Sequence, residues 1–240
     1  MTRKSILIIS ISVLSVIIGA LVLFAYSRTW GKTDIEIKIH INEELVQESA
    51  FGESPTFAIW LENIKTHKIK TVFVTRRIAE KDWEGKAEVP VALPVWSYVA
   101  DKLKKESESA DKSEQIIVSG ATPKPGYFVE RVSVEQNSDW ILWMEVNLAG
   151  DFNDNYKEFN DELNITDEYA TGQPALVYKA KINTATGAGN EIIPEIIGIS
   201  MPGETLDSII KPVTGITTAT DIFDEISLQV VKTKPRIINK

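Results

Sequence analysis

Cysteine is absent from all 240 residues. No disulfide can staple the fold, no thiolate can hold a metal, and no cysteine follows the N-terminal apolar run to carry a lipid anchor. Histidine is nearly as scarce. His40 falls in a strand-like stretch and His67 in a turn, without the paired spacing of a zinc enzyme. Also missing are a P-loop, a dinucleotide-binding glycine pattern and a G-x-S-x-G nucleophile elbow. Internal repeats and low-complexity tracts are absent too. Glycosidase carboxylates are recognised by their separation in space, so the 34 Asp and Glu residues leave an envelope hydrolase as a reading with no placed residues.

No acidic residue precedes Asp34. Arg3 and Lys4 lead instead into an uncharged stretch from Ser5 to Tyr26, rich in Ile, Leu and Val. Its 22 residues make roughly 33 Å of helix at about 1.5 Å per residue, enough to cross a hydrocarbon core of about 30 Å. This length exceeds the roughly 7 to 15 apolar residues of a signal-peptide core and favours a retained anchor. Ala25-Tyr26-Ser27 still offers small residues at the right spacing for cleavage, so removal stays open as the alternative. The division expected is a basic tail over 1–4, a transmembrane helix or signal anchor over 5–26, a linker over 27–33 and a folded domain over 34–240. A short basic start resembles that of secreted chains, which places the domain outside the cytoplasm, in the periplasm or beyond the cell.

Beyond Lys32 the chain carries 22 basic against 34 acidic residues, a balance of −12. Such an excess argues against nucleic acid and anionic lipid headgroups as partners of the domain. Period-two alternation dominates this region. Ile35, Ile37, Ile39 and Ile41 alternate with Glu36, Lys38 and His40, and similar runs occur at Phe57–Leu61, Val72–Val74, Phe128–Val134, Trp140–Leu148, Ala175–Ile182, Ile192–Ile199 and Ile226–Val231. One helix is expected from Pro94 through Leu103, with Trp96, Val99, Ala100 and Leu103 on one face and the charged Lys104–Glu114 stretch as a loop. The class predicted is mainly β: an immunoglobulin-like antiparallel β-sandwich with one short helix, behind an N-terminal transmembrane helix.

Ser119-Gly120-Ala121-Thr122, followed by Pro123 and Pro125-Gly126, forms a turn rigidified by proline. The segment resembles the S/T-G-A-T motif of FMN-binding subunits of sodium-pumping and Rnf-type redox complexes. That resemblance implies a covalent FMN ester on the Thr122 hydroxyl, with Ser119, Gly120 and Ala121 around it. The flavoprotein pattern has Asp three residues before its Ser/Thr start, and this chain has Ile116. Taken with Ala58-Ile59-Trp60-Leu61-Glu62, Thr71 to Val74 and Gly172-Gln173-Pro174-Ala175-Leu176-Val177-Tyr178, the same turn resembles the bacterial periplasmic family called domain of unknown function 2271. This likeness implies a periplasmic β-sandwich, sometimes found beside flavin-linked membrane redox proteins, with no catalytic residue.

Trp60 and Trp143 each share a strand face with a glutamate, Glu62 and Glu145, while Ile59, Leu61, Leu142 and Met144 point the other way. Two readings follow. The tryptophans pack under a loop or helix, with Trp96 and Leu103 as the cover, or they form a stacking surface for a flavin, a sugar or a peptide. Asp151, Asn153, Asn155 and Glu162 fall at positions 1, 3, 5 and 12 of a calcium-loop pattern. Tyr156 stands where that loop needs glycine and Phe159 where it needs an oxygen, which favours an ordinary acidic loop. The functional expectation is a non-catalytic binding or accessory module of a cell-envelope complex, held to the membrane and acting on a protein partner without a cofactor. An FMN carrier in extracytoplasmic electron transfer is the alternative.

Overall fold

The computed structural model describes residues 3–80, 92–110, 119–162, 164–167, 169–185, 189–201, 209–211 and 213–234. Helix α1 (Arg3–Thr29) is long and apolar enough to cross a membrane. It outlasts the expected segment by three residues, and strand β1 (Lys32–Ile41) begins almost at once. Only Trp30 and Gly31 join the two. Gly31 has φ +70°, the left-handed conformation that ends helices and that costs glycine least.

After β1 come helix α2 (Glu43–Glu48), strands β2 (Thr56–Asn63) and β3 (Ile69–Thr75), and helices α3 (Arg76–Glu80) and α4 (Pro94–Ala110). Strands β4 (Ser119–Gly120), β5 (Gly126–Glu135), β6 (Asp139–Asn147), β7 (Phe159–Asn160) and β8 (Ile165–Thr166) follow. The series closes with β9 (Ala175–Asn183), β10 (Glu191–Ile192), β11 (Glu195–Ser200) and β12 (Phe223–Val231). One sheet has the order β10-β12-β1-β5, a second β11-β9-β6-β2-β3-β4, and β7-β8 make a separate hairpin. Pairing is antiparallel except for β3 with β4, where Val74 and Thr75 lie beside Ser119 and Gly120 in parallel.

The two large sheets share one core. Ile35, Ile37, Ile39 and Ile41 are wholly buried and face Phe57, Ile59, Leu61, Leu142, Met144 and Leu176 of the second sheet. Burying each such side chain contributes roughly 1.5–3 kcal/mol, which explains why the alternation is so readable. The six-stranded sheet is covered on its other face as well. Ala58, Trp60, Val74 and Val177 pack there against Leu93, Val95, Trp96 and Leu103.

Several boundaries differ from the expectation. Helix α4 continues through Lys104–Ala110, so that part of the charged stretch is helical; residues 111–114 lie outside the described residues. The Ile192–Ile199 run is two strands in different sheets, broken at Ile193-Pro194 because proline cannot donate to a ladder. Helix α2 is an addition to the expected elements. Asn42 caps it by accepting from the Leu45 amide at 3.1 Å, and Glu43 and Glu44 occupy its first turn.

Candidate functional site

The face of the six-stranded sheet under α4 joins the tryptophan and glutamate motifs. Trp60 and Trp143 are direct cross-strand partners, with ring centroids 6.3 Å apart and planes 8° from parallel. Trp60 is 1% exposed and lies against Trp96 at 5.4 Å, so α4 covers it as the packing reading requires. That burial corrects the stacking-surface reading, because the two rings do not form an open platform. Of the two, only Trp143 reaches the surface. Its Nε1 donates to Glu62 at 3.2 Å, and Lys179 Nζ sits 4.3 Å from its ring centroid.

Glu145 is the chemically unusual member of this face. It is completely buried, and its carboxylate accepts from the amides of Val95 at 3.1 Å and Trp96 at 2.7 Å and from Ser200 Oγ at 2.5 Å. The two amides belong to the first turn of α4, whose donors have no partner within the helix. A strand residue thus caps the helix and pins it to the sheet. Burial pushes the Glu145 carboxyl up to about 7, with the three hydrogen bonds opposing the shift. Closed off from solvent and fully engaged with α4 and Ser200, the carboxylate is a tether.

The Ser119–Gly126 turn lies at the end of the domain away from α1. Ser119 and Gly120 pair with β3 through their backbones. A Cβ at Gly120 would stand 2.7 Å from Phe73 Cε2, so glycine is required there for packing. Ala121 is exposed and Thr122 half-buried in an extended stretch without ladder pairing. The flavin-motif residues therefore follow one another out of the β3–β4 pairing, with Ala121 and Thr122 accessible at least in part.

The acidic loop is not gathered around a common centre. Asp151 is buried, and its oxygens accept from Thr218 Oγ1 at 2.6 Å and Gln173 Nε2 at 2.8 Å. Burial raises its pKa, opposed by those two bonds. Asn153 uses its carbonyl oxygen for the amides of Asn155 and Tyr156 and its amide for Gly215 and Thr217. Asn155 reaches Gly215 and Glu162 is exposed. Among the described residues no group of three or more His, Asp and Glu side chains could hold a metal ion. Asp151, Asn153 and Asn155 instead stitch the loop to the segment before β12.

One cluster escaped the sequence reading. On the outer face of the four-stranded sheet, Lys38 pairs with Glu225 at 2.5 Å and His40 Nδ1 with Asp224 at 2.6 Å. Tyr127 donates to Glu225 at 3.0 Å, and its ring lies 4.5 Å from that of His40 and 4.4 Å from Lys38 Nζ. Glu36 and Arg131 add an ion pair. The hydrogen bond between Lys38 and Glu225 raises the lysine pKa and lowers the glutamate pKa, while Tyr127 is raised by the same carboxylate. Exposed Tyr127 and Val129 are set among these paired charges. His40 and Asp224 are 184 residues apart, so only the β1–β12 register unites them.

Comparison with protein-family models, with curated proteins and with solved structures finds no match to this chain.

Proposed function

We propose that this chain is a membrane-anchored, non-catalytic binding module that presents the outer face of its four-stranded sheet to a protein partner in the cell envelope. The observation carrying this reading is the asymmetry of the two sheets. The outer face of the six-stranded sheet is closed by α4 through Glu145 and Trp96, whereas the opposite face is open, with Tyr127 64% and Val129 50% exposed. Tyrosine set among ordered charges suits a protein contact, since it brings apolar area and a hydrogen-bonding tip at low entropic cost. Two antiparallel layers over one core support the immunoglobulin-like sandwich class and agree with the likeness to domain of unknown function 2271. Helix α1 supports the single-pass anchor, and the extracytoplasmic side follows from the short basic N-terminus.

The test is site-specific photocrosslinking in membranes of the native host. A crosslinker at Val129 gives a discrete adduct that Tyr127→Ala abolishes, and one at Tyr98 on α4 gives none. Equal labelling from both positions refutes the surface assignment. Protease added to intact spheroplasts digests the domain if it lies outside.

The second reading, a covalent FMN carrier, is favoured by one observation: Thr122 lies in an unpaired stretch at the end far from the membrane helix. A visible absorption spectrum of protein from its native host decides between the two. A flavin band that is lost in Thr122→Ala replaces the module reading with the carrier.

A further inference from the structure

The acidic balance of the domain argues against anionic lipid, but its charge is unevenly placed. Strand β12 runs antiparallel to β1, so Val231 lies beside Asp34 and the chain emerges again next to the end of α1. Lys232 and Lys234 therefore stand near Lys32 at the membrane end of the domain, all three exposed. The β2–β3 turn reaches the same end and adds Lys65, Lys68 and Lys70.

Acids stand among these lysines, hydrogen-bonded for the most part to neutral donors and still charged. Asp34 is buried and accepts from Ser133 and Thr233, Asp139 accepts from Asn183, and Glu62 accepts from Trp143 and His67. Glu135 and Glu191 remain exposed there. Lys32, Lys68, Lys232 and Lys234 form no ion pair with a described residue. Burial lowers the Lys70 pKa, Lys32 and Lys68 lower it further, and Glu135 and Asp34 act against them. At the opposite end Glu43, Glu44, Glu48, Asp154, Glu158 and Asp161 are exposed. Exposed lysines thus gather toward α1, and exposed acids, with Lys124 and Lys157 among them, toward the opposite end.

Aromatic residues mark the same level. Tyr26 is 58% and Trp30 86% exposed, as befits rings at a headgroup layer. Between them and the domain lies a cleft of about 650 Å³ lined by Trp30, Lys32, Gln136, Lys232 and Lys234 among others. The headgroup layer is roughly 5–7 Å deep on each side of a bilayer, and Trp30 and Gly31 alone separate helix from strand. The base of the domain cannot stand clear of it.

We infer that the basic base of the domain is a docking surface for anionic phospholipid headgroups, which seats the domain upright on its own membrane and turns the acidic end toward solvent. This rests on α1 being a retained membrane helix. Lysines near an anionic surface add attraction that salt screens within a Debye length, so the seating is salt-sensitive while the anchor is not.

The absence of cysteine allows single-site labelling. Gln136→Cys at the cleft, and Glu158→Cys at the far end as control, carry an environment-sensitive dye in the full chain. Each is reconstituted into nanodiscs of phosphatidylcholine alone or with phosphatidylglycerol. The label at position 136 shifts to the blue in the anionic discs only, loses that shift in high salt and loses it with Lys32→Gln, Lys68→Gln, Lys232→Gln and Lys234→Gln combined. The label at 158 does not respond. Co-elution with both discs but equal emission from position 136 overturns the docking surface and leaves the anchor intact. Failure to co-elute with either disc overturns the anchor, and the docking surface with it. If the combined variant does not fold, high salt on the unmodified lysines decides in its place: a blue shift that survives the salt overturns the docking surface.

Discussion

Glu145 accepts from the backbone amide of Trp96 at 2.7 Å while wholly buried beneath α4, in whose first turn Trp96 lies. One carboxylate therefore couples the docking of α4 to its own protonation. At pH below about 4.5 the carboxyl is protonated in the folded and unfolded chain alike. Between there and about 7 the unfolded chain releases its proton and the folded chain keeps it, so folding stability falls as pH rises through this window. Above it the loss is complete, at roughly 3 kcal/mol for a shift of this size. Asp151, also raised by burial, adds a slope of the same sign.

Glu145→Gln removes the titration and keeps an acceptor for one of the two α4 amides. Urea unfolding at about pH 5 and about pH 8 shows a wild type whose deficit relative to Glu145→Gln grows with pH. A pH-independent difference refutes the assignment. Glu145→Ala also removes the titration but leaves two helix amides without a partner, so it costs about 1–3 kcal/mol at about pH 5 and less at about pH 8, where the wild type is itself weakened.

Trp60 and Trp143 are cross-strand neighbours of unequal burial, and their truncations separate. Trp60→Ala opens a cavity beneath Trp96 and costs about 3–5 kcal/mol. Trp143→Ala, at a half-buried ring, costs less. Because Trp60 and Trp96 touch, the double truncation to alanine costs less than the sum of the two singles. Equal costs for Trp60→Ala and Trp143→Ala refute the burial argument.

What is legible in the sequence follows this physics. Strands with one apolar face, such as Ile35–Ile41, show themselves by alternation, and Trp60 beside Glu62 together with Trp143 beside Glu145 signals a sheet covered on both sides. Pro94 and the spacing of Trp96 and Leu103 point to the cover itself. The partnership of Glu145 with Trp96 is not legible, because a buried acid reads like any strand glutamate until its neighbours are known. His40 and Asp224 meet only through strand pairing across almost the whole chain. The basic base is hidden for the same reason, since a net charge carries no positions.

Asp151 is held by Gln173 and Thr218, so its role is to fasten the acidic loop. Asp151→Ala costs about 1–3 kcal/mol in calcium-free buffer, because the Gln173 amide and Thr218 hydroxyl lose an acceptor. Thermal melts of the wild type with added calcium and with chelator coincide. A midpoint raised by calcium, and only when Asp151 is present, overturns this and restores the metal loop.

Gly120 packs against the edge of Phe73, and this separates a packing role from a chemical one within Ser119-Gly120-Ala121-Thr122. An added Cβ would lie 2.7 Å from Phe73 Cε2, and that ring cannot swing away because Phe57 at 5.0 Å and Phe128 at 4.7 Å hold it. Gly120→Ala therefore costs about 1–3 kcal/mol by overpacking. Phe73→Leu in the same chain recovers part of that cost, since the leucine lacks the offending edge atom. Thr122→Ala, in the unpaired stretch that follows, changes stability by less than about 1 kcal/mol. Denaturant midpoints of the three variants check the order. If Thr122→Ala proves as damaging as Gly120→Ala, the threonine has a structural duty, and its loss could no longer serve as a clean probe of flavin attachment.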